Sequence, residues 1–160
     1  MATGAVLLAG CTGSPGSGEP DAAASRAADR ARARAARDSA ELAGRYAAVI
    51  AAHPALAERL EPLRAEVLRH AAAFGGARAA SPSVSPSGSA RAAGPDDGST
   101  ADAVPADGEE ALALLAAAER KLADRRTAAL ADVPGELARL LASVAAAGAG
   151  HVYLLTEGDR

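Results

Sequence analysis

Tryptophan is absent from this 160-residue chain, and Tyr46, Phe74 and Tyr153 are its only aromatic side chains. Without stacking platforms the chain is a poor candidate for gripping single-stranded nucleic acid. Its core must rest on stripes of Leu, Val and Ile, because alanine, which dominates the hydrophobic fraction, buries little area. A single cysteine excludes an internal disulfide. No apolar run approaches the roughly 20 residues that a membrane-crossing helix requires. The net charge of −3 sets up no global field favouring nucleic acid or an anionic surface. These absences lead to the expectation of a helical protein, soluble apart from any anchor, with no nucleic-acid partner.

The cysteine stands in Leu8-Ala9-Gly10-Cys11, which matches a bacterial lipobox at every position. Ala5-Val6-Leu7-Leu8-Ala9 ahead of it are small or apolar, and Thr12 to Pro20 follow as a Gly-, Ser- and Pro-rich tether. The chemistry asks for this order: small residues let a peptidase reach the bond before Cys11, and the Cys11 sulfur accepts a diacylglyceryl group. Two acyl chains anchor a protein stably where one does not. The segment upstream is short for a secretory signal, which has a basic start and roughly 7–15 apolar residues. Either the true start lies upstream of Met1, or the match is accidental and Cys11 is a lone thiol in a tail. The first alternative implies an extracytoplasmic protein, held to the cell membrane by lipid.

Asp21 to Arg37 interleave alanine with Arg26, Arg30, Arg32, Arg34 and Arg37. Helix propensity is high there but no stripe of large apolar residues appears, so a solvated helical extension is expected. The packed part of the first helix should begin near Ser39, with Leu42, Tyr46, Val49, Ile50 and His53 on one face. Pro54 ends it. Leu56, Leu60, Leu63, Val67, His70 and Phe74 form the stripe of a second helix, antiparallel to the first. Pro62 either kinks it or opens it afresh after a short turn. Gly75-Gly76 closes the element.

Ala77 to Ala106 form a low-complexity Ser-, Pro- and Gly-rich stretch, expected to be a disordered linker. Asp107 then caps a third helix with Glu110 as capping-box partner. Its face carries Leu112, Leu115, Leu122 and Ala129, with Glu119 in register among them. A turn at Asp132-Val133-Pro134 leads to a fourth helix with the stripe Leu137, Leu140, Leu141, Val144, His151, Val152 and Leu155. The reading is therefore all-α, an antiparallel four-helix bundle over residues 38–155 interrupted by the linker 77–106. A signal remnant (1–10) and the tether with its extension (11–37) precede it, and a tail (156–160) follows. A single long crossover would make the bundle ferritin-like in outline, while a simple up-down bundle fits the same pattern.

All of the histidines, His53, His70 and His151, fall on apolar faces. A ferritin-like bundle would bring His70, His151 and Glu119 together in the core, with Glu66 one turn from His70. Di-iron bundles place Glu-x-x-His on two helices and a Glu on each of the others. Here Val67 stands three residues before His70, and Gly148 three before His151. Glu66, His70, Glu119 and His151 could still supply nitrogen and oxygen ligands to a single metal ion such as zinc. The competing expectation is that these imidazoles and carboxylates satisfy one another structurally. Gly148 and Gly150 in a helix suggest that another backbone approaches closely there. No nucleophile–base pair and no phosphate-binding glycine loop is recognisable.

Residues 37–74 and 109–155 resemble the ferritin-like lipoproteins and ferritin-like domains of unknown function found in high-GC Gram-positive bacteria. The segments that carry this likeness are Leu60-Glu61-Pro62-Leu63-Arg64-Ala65-Glu66-Val67-Leu68-Arg69-His70 and Leu140-Leu141-Ala142-Ser143-Val144-Ala145-Ala146-Ala147-Gly148-Ala149-Gly150-His151. The resemblance implies a lipid-anchored envelope protein without enzymatic activity, which binds a partner or ligand. The alternative it implies is a metal-binding bundle with redox or storage activity.

Overall fold

A computed structural model describes residues 18–75 and 103–157, with side chains from residue 22 onward. The lipobox, Cys11, most of the tether and most of the 77–106 linker lie outside the described residues. Within them every regular element is helical: α1 Gly18–Ala52, α2 Ala57–Ala73, α3 Gly108–Ala128 and α4 Gly135–Glu157. Short 3-10 turns, Pro54–Leu56 and Leu130–Asp132, make the tight connections from α1 to α2 and from α3 to α4.

The local chemistry accounts for the boundaries. Pro54 sits at the first position of its 3-10 turn, where its missing N–H costs nothing. α2 runs unbroken through Pro62, which is exposed, so no fresh start occurs there. Gly75 adopts φ +88°, the left-handed conformation that ends α2, and its N–H bonds the Ala72 carbonyl at 2.8 Å. At the start of α3 the Asp107 carboxylate accepts from the Glu110 N–H at 2.9 Å, as the capping pattern predicts. α4 reaches Glu157, so the expected tail at 156–160 is helical in its first residues.

α1 packs on α2 and α3 packs on α4, forming two hairpins that share buried side chains. Toward one end, Tyr46 and Val49 of α1 meet Leu60 of α2, Ala111 and Leu115 of α3, and Leu155 of α4. Toward the other end, Ala35 and Ala36 meet Phe74, Leu137, Leu141 and Val144. These groupings set the directions of the helices. The His53 end of α1 adjoins the start of α3, where Pro105 accepts a 2.8 Å hydrogen bond from His53 Nε2. Phe74, at the end of α2, lies instead beside the start of α4. α2 and α3 therefore run in the same direction, with the end of α2 and the start of α3 at opposite ends of the helices.

Three expectations need correction. The packed part of α1 begins before Ser39: Ala35 and Ala36 are buried, and Ala28 and Ala31 pack against the same cluster. An alanine stripe suffices here because the 3-10 turn and the start of α4 come close enough to touch methyl groups. The linker ends before Ala106, because Val104 packs on the core and Pro105 is held by His53. The third correction concerns α4. Its 23 residues reach a mean hydropathy of 1.3 over an 18-residue window, so by length and composition it is apolar enough to cross a membrane. That value owes much to the alanines of 142–149, and one face of α4 is buried against its neighbours through Leu137, Leu141, Val144, His151 and Leu155.

Candidate functional site

The centre of the helices holds a carboxylate. Glu119 of α3 is 1 % exposed, among apolar side chains, because it occupies a stripe position between Leu115 and Leu122. Two donors from different helices converge on the same oxygen. Tyr46 Oη of α1 donates to Glu119 Oε1 at 2.9 Å, and His151 Nδ1 of α4 donates to it at 2.7 Å. Burial, reinforced by the Glu119 charge, pushes the Tyr46 phenol well above its ordinary pKa. Tyr46 thus remains a donor at any pH near neutrality.

Gly148, one helical turn before His151 on α4, makes room for this carboxylate. A Cβ at 148 would stand 3.2 Å from Glu119 Oε2 and 3.8 Å from the Glu119 carbonyl oxygen. The close neighbour at Gly148 is thus the Glu119 side chain and not, as expected, another backbone, whose nearest atom is at ordinary contact distance. No close neighbour of any kind stands at Gly150, where a Cβ would meet nothing within 4 Å.

His70 continues the polar path toward the surface. Its ring lies 6.1 Å from that of His151, at an interplanar angle of 25°. Its Nε2 is 3.3 Å from Glu66 Oε1 on the same helix. Burial holds the His70 pKa below its usual value, against the opposing pull of Glu66. Arg69 binds Glu66 directly and keeps that carboxyl below the ordinary carboxylate range.

Glu66, His70, Glu119 and His151, the candidate ligands for a single metal ion or members of a structural cluster, thus do come together, but as a line of pairwise contacts. Among the described residues no group of three or more His, Cys, Asp or Glu side chains is arranged to hold a metal ion. The positions that a two-metal carboxylate centre would fill do not fit it either. Val67 is a buried apolar residue, and Gly148 offers no ligand but gives its space to Glu119. Cys11 and its lipobox lie outside the described residues. His53, the remaining histidine, anchors the chain at Pro105.

A second buried polar group was not legible from sequence. Arg126 of α3 is 5 % exposed. Its Nη2 donates to Ser39 Oγ at 2.7 Å, and Ser39 donates in turn to the Ala35 carbonyl at 3.0 Å. The guanidinium also lies over the Phe74 ring, 5.8 Å from its centroid. Burial lowers the Arg126 pKa. No family model matches the chain, and no curated protein or solved structure matches it.

Proposed function

We propose that the chain is a lipid-anchored, extracytoplasmic four-helix bundle, ferritin-like in outline, that binds a partner or ligand at the cell envelope without catalysing a reaction. The observation that carries this reading is Leu8-Ala9-Gly10-Cys11, followed by a tether that passes into α1 at Gly18. The parallel course of α2 and α3 supports the ferritin-like outline, since a single long crossover between the second and third helices produces that arrangement. A simple up-down bundle would start α3 beside Phe74 instead. The polar centre supports a non-enzymatic role, because Glu119 Oε1 is already engaged by Tyr46 and His151.

The anchor is tested by expressing the chain behind a complete lipoprotein signal in a bacterial host and supplying a labelled fatty acid. The protein should incorporate the label and partition into detergent, and Cys11→Ala should lose both properties. Equal labelling of the Cys11→Ala protein would overturn the reading.

A further inference from the structure

An open groove of about 780 Å³ runs along the end of the helices where α1 enters the fold. Its rim is unusual for a chain of net charge −3: Arg30, Arg34 and Arg37 from α1 face Arg125 and Arg126 from the last turn of α3. Asp38 and Asp132 are the carboxylates along it. Arg30, Arg34 and Arg37 follow the i, i+4, i+7 spacing of one helix face, so the helix itself aligns them along the groove. Between them the floor is apolar, made by Ala31, Ala35, Leu122, Val133 and Leu141.

The second observation concerns Arg126. Buried charges are ordinarily paired, because desolvating a lone ion is costly. Arg126 is buried, yet among the described residues no carboxylate lies within ion-pair distance of it. Its Nε is a buried donor without a hydrogen-bond partner. Glu119 and Asp38 act on it only through space: Glu119 is held by Tyr46 and His151, and Asp38 lies 3.6 Å from Arg125. A basic last turn alone would be explained by the helix dipole. That effect does not explain a guanidinium drawn inside with Glu119 and Asp38 acting on it only at a distance and its Nε unpartnered, nor the row of arginines facing it from another helix.

We infer that the groove binds a small anionic amphiphile, with a carboxylate or phosphate monoester head among the arginines and an apolar body on the alanine, leucine and valine floor. Guanidinium groups suit such heads because they present paired donors in a plane. The volume falls within the range of small-molecule sites. This inference deepens the ligand-binding part of the proposed function and is independent of whether Cys11 is acylated.

The test uses the whole unlipidated chain and calorimetric titration with lysophosphatidate, a lauroyl carboxylate, uncharged monolaurin and inorganic phosphate, each below its aggregation concentration. Saturable one-to-one binding of both anionic amphiphiles is expected, at least tenfold tighter than either monolaurin or inorganic phosphate, and weakening as salt rises. Arg30→Glu with Arg34→Glu, both on exposed positions, should lower that affinity at least tenfold while leaving the melting temperature in place. Stronger binding of lysophosphatidate than of the carboxylate identifies a phosphate head. Equal affinity for monolaurin removes the role of the arginines, and equal affinity for inorganic phosphate removes that of the floor. Either result overturns the inference, as does an unaltered affinity in the double variant. Absence of all binding overturns it too, while leaving the anchor and a protein partner to be judged by fatty-acid labelling and pull-down.

Discussion

Gly148 faces Glu119 across the α3–α4 contact so closely that a methyl group at 148 would stand 3.2 Å from the carboxylate. Glu119 cannot easily retreat, because Tyr46 and His151 hold its other oxygen from two further directions. Glycine in a helix ordinarily costs about 1 kcal/mol relative to alanine. At Gly150, with open space around it, Gly150→Ala should therefore stabilise the protein by about 0.5–1 kcal/mol. Gly148→Ala should be net destabilising despite the same gain in propensity. Urea unfolding of the two variants side by side checks this, and a stabilised Gly148→Ala protein would show that Glu119 moves freely.

Tyr46→Phe keeps the ring and removes one donor from a buried carboxylate. The expected loss is about 1–3 kcal/mol. The sign of the pH dependence follows from the raised folded-state pKa. The unfolded phenol titrates near 10.0 and the folded one well above it, so the stabilising contribution is complete below pH 10 and is lost as pH rises beyond it. The wild-type protein should lose stability between pH 9.5 and 11 more steeply than Tyr46→Phe. Parallel curves for the two proteins would mean that Tyr46 ionises in the folded state as it does in water.

His70 contributes at the opposite end of the scale. Its pKa is depressed by burial, with Glu66 and Glu119 pulling upward and His151 and Arg126 adding to the depression. The unfolded chain takes up this proton first, near pH 6.5, so the contribution is present above that pH and is lost as pH falls through the folded value. His70→Gln should flatten the fall in melting temperature between pH 7.5 and 5.5. A slope unchanged by the substitution would assign the acid sensitivity to other groups.

The connection between α2 and α3 must cover the length of α2, about 25 Å at 1.5 Å per residue. An extended chain spans at most about 3.6 Å per residue, so roughly a dozen residues suffice. Replacing residues 77–102 with a Gly/Ser segment of about 14 residues should leave stability within about 1 kcal/mol, since closure free energy changes only logarithmically with length. Extending the replacement through Pro105 should cost more, because it removes Val104 from the core and the acceptor of His53. Equal melting temperatures for both replacements would show that the Val104–Pro105 contacts contribute nothing.

Much of this arrangement is legible in the pattern of large residues. Leu112, Leu115, Leu122, Leu137, Leu141 and Val144 fall on the faces that their spacing implies, and Asp107 caps α3 where it should. Glu119 and His151 announce themselves as polar residues in apolar stripes. Tyr46 does not, because an aromatic on a stripe reads as packing, and its partner lies 73 residues away. Arg126 is hidden for a different reason: an arginine in the last turn of a helix is what the dipole favours, so nothing marks it as buried. The alanines of α1 are equally silent, since in an alanine-rich chain a packed methyl stripe resembles mere helix propensity.

His151 decides between a structural centre and a metal site. In the structural reading, His151→Leu removes a donor from Glu119, strands a buried acceptor and costs about 1–3 kcal/mol. His70→Leu costs less, because its Glu66 partner is 37 % exposed and can turn to water or to Arg69. The rings of His70 and His151 face one another, so the double replacement should cost less than the sum of the singles. Addition of a chelator should leave the melting temperature unchanged in this reading. A resident metal ion makes the opposite set of demands: near-stoichiometric metal in the purified protein, its loss with either histidine, and a melting temperature that falls when chelator is added. Elemental analysis with thermal melts of the wild-type protein and the two single variants separates the readings. Metal near one equivalent that disappears in both variants would replace the structural account with a metal site at Glu66, His70, Glu119 and His151.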